Sequence, residues 1–455
     1  MAALPDDVLA WIGDIAGGTV TGAHRQPGGA RKEAWFVDVA RPDGEVEELF
    51  LWYERAPADL FDPWGLEREA TVYLALQGSA VPVPGVLGVH PAHPAMLARR
   101  AGGQTWFSRI TDPDEAERTA KAFITCLAAL HRLDAAALDL PGFPRPTRIP
   151  DLVHHELDEW ETVLERRGGE PDPALLFVLG WLRRNVPDHD GPVVLVQGDT
   201  GPGNFLYEDG GVVAVVDWEL AHLGDPMDDI AWLTLRCTQE PFPDLPARLC
   251  EYEELSGHAI DEARARYYQV AAETKLQVMR HRAGGPGAAR EGGRDVGNAL
   301  IYEMLHRRLW LEALAGLVGF ELTPPEPLEA REQEGHDWLY EDVLGQLRDV
   351  IVPSLRDPFA LTRAKGTARV VKYLASVERH GGAYARHERD DAIALLGAPQ
   401  PSVRAAREAI AAATRAGTLG DVDYLRYLWR RTARDNELMR PASGVLADRH
   451  WPPLR

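Results

Sequence analysis

Cysteine is scarce in this chain of 455 residues. The 3 cysteines, Cys126, Cys237 and Cys250, are too few and too scattered for a disulfide framework or a zinc site. We therefore expect buried free thiols, as is usual for a protein in a reducing cytoplasm.

Long apolar runs and a basic N-terminal segment are also missing. No stretch of about 18 consecutive apolar residues occurs, so no transmembrane helix is predicted. The first residues carry Asp6, Asp7 and Asp14 where a signal peptide has basic residues. The sequence therefore predicts a cytoplasmic protein without a membrane partner.

Positive charge is in short supply. The formal net charge is −21 at pH 7, with 70 acidic residues against 49 lysines and arginines. A nucleic-acid partner is disfavoured, because binding a phosphate backbone requires a basic surface. A small-molecule substrate or a nucleotide is compatible with this charge, because a local site can hold either one. The oligomeric state stays open.

The pattern of apolar residues changes twice along the chain. Residues 1–100 show strand patterns, among them Ala34–Val39 and Glu48–Tyr53, and one helix over Leu66–Leu76. Residues 101–325 are mostly helical, a proline-rich linker follows, and residues 335–455 are helical again. We therefore predict an α+β protein with a β-rich N-lobe (1–100), a C-lobe (101–325) and a C-terminal helical domain (335–455).

Two carboxylates and an amide follow strand patterns in the middle of the chain. Asp199 comes just after an apolar strand, in a loop rich in glycine and proline, and Asn204 lies five positions on. Asp217 directly follows the strand Val212–Val216. Oxygen ligands of this kind suit Mg²⁺. Phosphoryl transfer needs one carboxylate near the attacking hydroxyl and an Asp/Asn pair on the metal, so the three residues indicate that chemistry.

The same residues stand in a longer pattern, Gln197-Gly198-Asp199-Thr-Gly-Pro-Gly-Asn204 followed by Asp217-Trp218-Glu219. It resembles the H-G-D-x-x-x-x-N and D-W-E motifs of the aminoglycoside phosphotransferase and choline kinase family. The resemblance implies a protein-kinase-like bilobal fold with an additional C-terminal helical domain, and ATP and Mg²⁺ as cofactors. It also implies that Asp199 is the catalytic base, that Asn204 and Asp217 hold Mg²⁺, and that Asp217 takes part in catalysis.

The resemblance extends beyond these motifs. The segment with Gly28 and Gly29 resembles the family's loop that covers the phosphates. Glu69 stands at a position that resembles the family's helix glutamate, which pairs with a strand lysine or arginine. These residues and Lys32 form the predicted cofactor-binding set. Asp225, in a Gly-Asp-Pro segment, is expected to brace the catalytic loop from behind.

Two positions depart from the family pattern. Gln197 stands where the family has histidine, and glutamine can still form hydrogen bonds there. Trp52 and Tyr53 occupy the strand position of the basic residue that grips the α- and β-phosphates. Without that cation Glu69 is left as an unpaired carboxylate, unless a residue of the glycine turn such as Lys32 supplies the charge. The use of ATP is therefore in doubt.

His222 is a further catalytic candidate. It lies three residues beyond Glu219 and is the nearest side chain that titrates at neutral pH. A histidine is commonplace at this place in the family, so a structural role is the alternative.

Three functions remain open. The first is ATP- and Mg²⁺-dependent phosphorylation of a small-molecule hydroxyl. The second is acid/base chemistry in the same cleft, such as dehydration or cyclisation of a secondary metabolite, without phosphate transfer. The third is a non-catalytic pseudokinase whose C-terminal domain recruits a partner. The sequence does not name the substrate.

Overall fold

The computed structural model describes residues 4–26, 32–54, 65–145, 148–169, 171–281, 295–324 and 336–455. The strands are β1 (Thr19–Arg25), β2 (Glu33–Ala40), β3 (Val46–Tyr53), β4 (Val86–Val89), β5 (Ala95–Arg99), β6 (Val194–Val196), β7 (Phe205–Glu208), β8 (Gly211–Val215) and β9 (His222–Gly224). The helices are α1 (Asp6–Ala16), α2 (Leu66–Leu76), α3 (Pro113–His131), α4 (Ile149–Arg167), α5 (Pro173–Arg184), α6 (Pro226–Gln239), α7 (Leu245–Ser256), α8 (Glu262–Arg280), α9 (Val296–Val318), α10 (Asp337–Gln346), α11 (Val352–Ser354), α12 (Pro358–Leu396), α13 (Val403–Arg415) and α14 (Asp421–Ser443).

The chain divides into two compact units that alternate along the sequence. Unit 1 consists of Met1–Arg166, Pro187–Ala265 and Pro452–Arg455, and unit 2 of Arg167–Val186 and Arg266–Trp451. The three domains expected from the sequence remain a prediction.

Unit 1 contains a five-stranded antiparallel sheet with the strand order β1-β2-β3-β5-β4. Exposure alternates along β2, where Trp35, Val37 and Val39 are buried in one cluster with Val8 and Ile12 of α1. Successive side chains of a strand point to opposite faces. The packing of α1 therefore covers one face of this sheet.

The opposite face of the sheet carries aromatic side chains. The ring of Phe50 lies 5.8 Å from that of Phe36 and 4.5 Å from that of Trp52. Trp52 also lies 5.5 Å from the ring of Tyr73 on α2. Residues paired directly across an antiparallel sheet share a face, and Ala34 is paired with Trp52. The side chain of Ala34, at the start of β2, therefore lies on the same face of the sheet as Trp52, which is the face next to α2.

Helix α2 buries apolar side chains together with one carboxylate. Val72, Tyr73 and Leu76 have 0% of their surface exposed and form the buried apolar side of this helix. Glu69 is 2% exposed. A carboxylate buried to this degree needs charged or hydrogen-bonding partners. The partners of Glu69 therefore show which other parts of the chain α2 contacts.

Two small antiparallel sheets carry the acidic segment, one pairing β6 with β9 and the other β7 with β8. Asp199 and Asn204 lie in the loop between β6 and β7, and Asp217 lies in the turn between β8 and β9. The strands that precede Asp199 and Asp217 thus belong to different sheets, and the loops after them bring the acids together.

Unit 2 is helical, and α12 is its longest helix, at 39 residues. The sequence predicts that this helix ends near residue 379, before a pair of glycines. It continues past Gly381 because its second half is anchored, with Glu388 accepting hydrogen bonds from Arg407 and Tyr427. These contacts outweigh the cost of about 1 kcal/mol for each glycine within a helix.

No helix among the described residues is both long and apolar enough to cross a membrane. The three cysteines are free, but Cys250 is exposed, so the prediction of a buried thiol is wrong for this residue.

Candidate active site

The loop of residues 197–204 has a backbone shape that requires glycine. Gly198 has a φ of +82°, and a Cβ atom there would lie 2.3 Å from the carbonyl oxygen of Leu220. A side chain is excluded both by the positive φ and by this close approach. The glycine therefore lets the loop cross directly over the turn that leads to β9.

Asp199 and Asn204 are in direct contact. The Asn204 side-chain Nδ2 donates to the Asp199 carbonyl oxygen at 2.7 Å and to its Oδ2 at 2.8 Å. Arg236 of α6 donates to both carboxylate oxygens, with its Nε 2.8 Å from Oδ1. Burial raises the pKa of Asp199, and Arg236 and Asn204 act in the opposite direction. The carboxylate is thus held in one orientation by three donors.

Asp217 sits in a strained turn that is fastened to α2. Its φ is +64°, in the left-handed region that few residues other than glycine adopt. Its backbone N–H donates to the Tyr73 hydroxyl at 3.2 Å, and the N–H of Trp218 donates to Glu69 Oε1 at 3.2 Å. These two bonds hold the turn in place from α2.

The pKa of Asp217 is raised to about 8, first by burial and then by the nearby carboxylate of Glu219. Glu69 and Asp199 add to this increase, and Lys32 opposes it. Four carboxylates thus influence one another where the 197–204 loop, the Asp217 turn and α2 meet. Lys32 opposes the raised pKa of Asp217 and Arg236 opposes that of Asp199, so the two cations offset part of this negative charge.

Lys32 is the basic residue of this cluster. Its Nζ forms an ion pair with Glu69 and lies 2.9 Å from Glu219 Oε2, with 9% of its side chain exposed. Burial lowers the pKa of Lys32, but the attraction of Glu69, Glu219 and Asp217 outweighs it, so that the pKa is raised. The neighbouring carboxylates therefore favour the charged form of the lysine within the site.

The antiparallel register explains how Lys32 reaches this place. Lys32 precedes β2 and lies two residues before Ala34, the partner of Trp52 across the sheet, so it lies on the same face as Trp52. The cation therefore comes from the strand beside the one where the family pattern has it. The expectation of an unpaired Glu69 is wrong for this reason. Gly28 and Gly29 lie outside the described residues.

Comparison with known sequences finds a match for the segment that contains Glu69, Asp199, Asn204 and Asp217 of this site. The profile of the phosphotransferase enzyme family matches residues 55–269. Residues 55–269 of the chain are thus similar to this family. The match confirms the family resemblance and, with the structure, the predicted kinase-like fold. That fold has an N-terminal antiparallel sheet, a helical C-lobe and further C-terminal helices beyond the matched residues.

Similar sequences occur within much longer proteins. Human acyl-CoA dehydrogenase family member 11 is 31% identical over 135 residues, which is 28% of this chain and 17% of that protein. Mouse acyl-CoA dehydrogenase family member 10 is 28% identical over 180 residues, which is 37% of this chain and 16% of that protein. The aligned part is thus less than a fifth of either relative.

Solved structures of phosphotransferases resemble the chain only distantly. Macrolide 2′-phosphotransferase MphH from Brachybacterium faecium has a TM-score of 0.45 and 22% identity, covering 71% of this chain and 100% of that one. The aminoglycoside phosphotransferase APH(4)-Ia, in a complex with ADP and hygromycin B, has a TM-score of 0.45 and 20% identity, covering 60% and 91%.

His222 lies within a small ionic cluster of the phosphotransferase segment. Its Nδ1 is 3.0 Å from the carbonyl oxygen of Leu220, and its Nε2 is 3.1 Å from Asp228 Oδ2 and 3.7 Å from Glu156 Oε2. The ring is therefore held between the turn, α4 and α6. This setting favours a structural role, and the catalytic role of His222 stays a prediction.

Asp229, and not Asp225, supports the catalytic loop. The carboxylate of Asp229 accepts hydrogen bonds from the N–H groups of Gln197 and Gly198, each at 2.9 Å, and from the Thr200 hydroxyl. Asp225 instead caps α6 and pairs with Arg264 at 2.9 Å. The expectation for Asp225 is therefore wrong. A helix turn separates the two aspartates, so their position along the helix, at its N-cap or one turn later, decides which of them meets the loop.

Sequence reasoning missed two side chains that contact the predicted acids. Arg236 lies 37 residues after Asp199 and gives no motif signal, since it follows an ordinary helical pattern. Tyr73 reads as an apolar helix residue, yet its hydroxyl is a hydrogen-bond acceptor of the Asp217 turn. The spacing of Arg236 from Asp229 on one helix face could have indicated that both meet the same loop.

Proposed function

We propose that the protein transfers the γ-phosphoryl group of ATP to a hydroxyl group of a small molecule, with Mg²⁺ as cofactor. One observation carries this proposal. The ion pair of Lys32 with Glu69 stands beside Asp217, whose turn is fastened to the same helix by Glu69 and Tyr73. A lysine–glutamate pair and a metal-binding aspartate held together are the features that a kinase-like site needs before it can act on a nucleotide.

The donor set fits Mg²⁺. Asn204 uses its side-chain NH₂ on Asp199, which leaves its amide oxygen for a cation. Asp217 offers a carboxylate whose pKa is raised to about 8 by burial and by Glu219, so that a divalent cation would favour its ionised form. Oxygen ligands from an aspartate and an amide are those that Mg²⁺ prefers. When bound, the metal supplies positive charge that offsets the charge of the phosphates.

The side chains of this protein position the nucleotide and accept the proton of the substrate hydroxyl. The oxygen of the substrate hydroxyl attacks the γ-phosphorus, and its proton passes to Asp199. The bond from the γ-phosphorus to the bridging oxygen breaks, and its electron pair leaves with ADP. Lys32 gives the phosphates a fixed positive charge, and Glu69 orients that lysine. Together these residues position the nucleotide and accept one proton.

Metal-free acid/base chemistry gains no support from the described residues. It rests on the loss of the basic residue at Trp52 and Tyr53, and Lys32 supplies a cation on that face of the sheet. A pseudokinase role rests on the same loss. Both alternatives therefore become outcomes of the test and not proposals of equal weight.

Nucleotide binding is the first test. Unfolding of the purified protein is followed with ATP and Mg²⁺, with ATP alone and with neither. A ligand at 100 times its dissociation constant stabilises by about 2.7 kcal/mol. We expect stabilisation only with both present, its loss in D217N, and its retention in D199N. The matched control D14N changes an exposed aspartate of α1 and should behave as wild type.

Phosphoryl transfer is then measured with γ-labelled ATP against a panel of hydroxylated small molecules that includes aminoglycosides and macrolides. Turnover that D199N abolishes while binding is kept would support the proposal. Full activity on any of these compounds without nucleotide would overturn it in favour of acid/base chemistry. Absence of nucleotide binding in wild type, with function unchanged in D199N and D217N, would favour a pseudokinase.

A further inference from the structure

A bidentate arginine holds the proposed catalytic base. The guanidinium of Arg236 donates from Nε to Asp199 Oδ1 at 2.8 Å and from Nη2 to Oδ2. Its side chain is 27% exposed, and that of Asp199 is 16% exposed. Paired N–H groups on a carboxylate fix its plane as well as its charge. Arg236 is therefore placed to control both the direction and the ionisation of Asp199.

Helix α6 presents Arg236 on the face that supports the loop. One side of the helix carries Asp229, Leu233 and Arg236, because they are spaced four and then three residues apart. Asp229 binds the start of the 197–204 loop through Gln197 N and other donors. A Cβ atom at Gly201 would lie 2.8 Å from Arg236 Cβ and 3.4 Å from Leu233 Cδ1.

The loop is shaped around the arginine. Gly201 has a φ of +137° and Gly203 a φ of +102°, so both need the freedom of glycine. The four residues between Asp199 and Asn204 read Thr-Gly-Pro-Gly and carry no charge. The cation at the base therefore comes from α6, and the glycines leave room for its stem.

Counting lone pairs shows what this arrangement does to the carboxylate. An ionised carboxylate has about four acceptor positions, two on each oxygen. Among the described residues, Oδ2 receives both Arg236 Nη2 and Asn204 Nδ2, whereas Oδ1 receives Arg236 Nε alone. The position left for a substrate hydroxyl is therefore on Oδ1.

We propose that Arg236 is the positioning residue of the proposed reaction, which directs Oδ1 of Asp199 at the substrate hydroxyl. This inference rests on the phosphotransferase function proposed above. In the reaction the hydroxyl oxygen bonds to the γ-phosphorus, the bridging bond breaks with its electrons on ADP, and the proton goes to Oδ1. Arg236 itself neither gains nor loses a proton.

Two substitutions separate charge from geometry. Arg236→Met keeps the apolar stem that packs on Gly201 but removes the charge. Arg236→Lys keeps the charge but loses the two-pronged donor. Arg41→Met is the matched control, since Arg41 pairs with Glu47 at a partly exposed site in the N-terminal sheet. Circular dichroism and thermal unfolding confirm that each variant is folded.

The decisive readout is the pH dependence of kcat/KM. Charged groups that influence Asp199 are Arg236, which favours its ionised form, and Glu219, which opposes it, while Asp217 interacts with it in turn. Removing a cation in contact with a carboxylate raises its pKa by about 1–3 units. The acid limb of the profile should therefore move to higher pH in Arg236→Met by about that much and stay near wild type in Arg236→Lys.

The split between kcat and KM gives the second readout. We expect kcat to fall at least about 10-fold in both variants because the base is misdirected, with KM for ATP within about 3-fold of wild type. Guanidinium chloride at low millimolar concentration should restore part of the rate of Arg236→Met. An unchanged acid limb and an unchanged kcat in Arg236→Met would overturn the inference.

A measurement without turnover distinguishes the two proposals. Carbon-13 NMR of the aspartate carboxyl groups, assigned with Asp199→Asn, follows the titration of Asp199 in wild type and in Arg236→Met. If wild type shows no Mg²⁺-ATP turnover, the phosphotransferase proposal fails, and a shifted NMR midpoint still establishes the coupling of the pair. If wild type turns over and kcat is unchanged in Arg236→Met, the Arg236 inference alone fails.

Discussion

Asp217 should destabilise the metal-free protein at neutral and alkaline pH. Its folded pKa is raised to about 8 by burial and by Glu219, from an ordinary value of 3.8. An unfolded chain ionises the group near pH 4, whereas the folded chain keeps the proton until about pH 8. Folding therefore takes up a proton in this window, and stability falls as the pH rises through it.

The size of the effect follows from the shift. Each unit of pKa difference corresponds to about 1.36 kcal/mol. The full shift would amount to about 6 kcal/mol, and we expect about half of that, because Asp217 keeps some contact with solvent. The charge-free variant Asp217→Asn should thus unfold about 5–10 °C above wild type at pH 8 without metal. The gain should shrink to a few degrees at pH 5.

Thermal unfolding in the presence of a chelator, from pH 5 to pH 8.5, measures this directly. Adding Mg²⁺ should raise the melting temperature of wild type at pH 8 and leave that of Asp217→Asn nearly unchanged, because the ion favours the ionised carboxylate. Asp14→Asn is the exposed control and should follow wild type throughout. A difference between Asp217→Asn and wild type that stays constant with pH, or a less stable variant at pH 8, would refute the reasoning.

Three further substitutions test the supports of the site. Lys32→Met should lower the free energy of unfolding in urea by about 3–5 kcal/mol, since it leaves a buried carboxylate without its cation. It should also abolish nucleotide binding. A decrease below about 1 kcal/mol would contradict the burial of the pair. Asp229→Asn weakens the acceptor of two backbone N–H groups and should cost about 1.5–3 kcal/mol, with faster hydrogen exchange at Gly198 as the diagnostic sign. Gly198→Ala should cost more than Gly44→Ala, because both have positive φ but only the first meets a backbone oxygen at 2.3 Å; equal losses would show that strain alone decides.

Lys32 places a cation beside Glu69 although the motif's basic residue is absent from the strand that carries Trp52. The family pattern has its cation on the strand that carries Trp52 here. The antiparallel register sets the start of β2 beside that position, on the same face. Trp52 fills the vacated place by packing on Tyr73, and Lys32 reaches Glu69 from the neighbouring strand.

The family and its central acids could be predicted from the sequence, because the motif is short-range. Asp199 and Asn204 are five positions apart in one loop, and loop geometry alone brings them into contact. The apolar side of α2 and the alternation along β2 follow from periods of 3.6 and 2 residues, which a single segment reveals. The kinase-like fold then follows from the resemblance that these motifs carry.

The tertiary structure decided which distant side chains serve those acids. Lys32 and Glu69 are 37 residues apart and meet through strand register, and Arg236 meets Asp199 through the face of a helix that the loop crosses. The choice between Asp225 and Asp229 depends on one turn of that helix. Burial and charge at a contact depend on all the surrounding elements, so a local pattern indicates the candidate residues, and only packing determines what holds them.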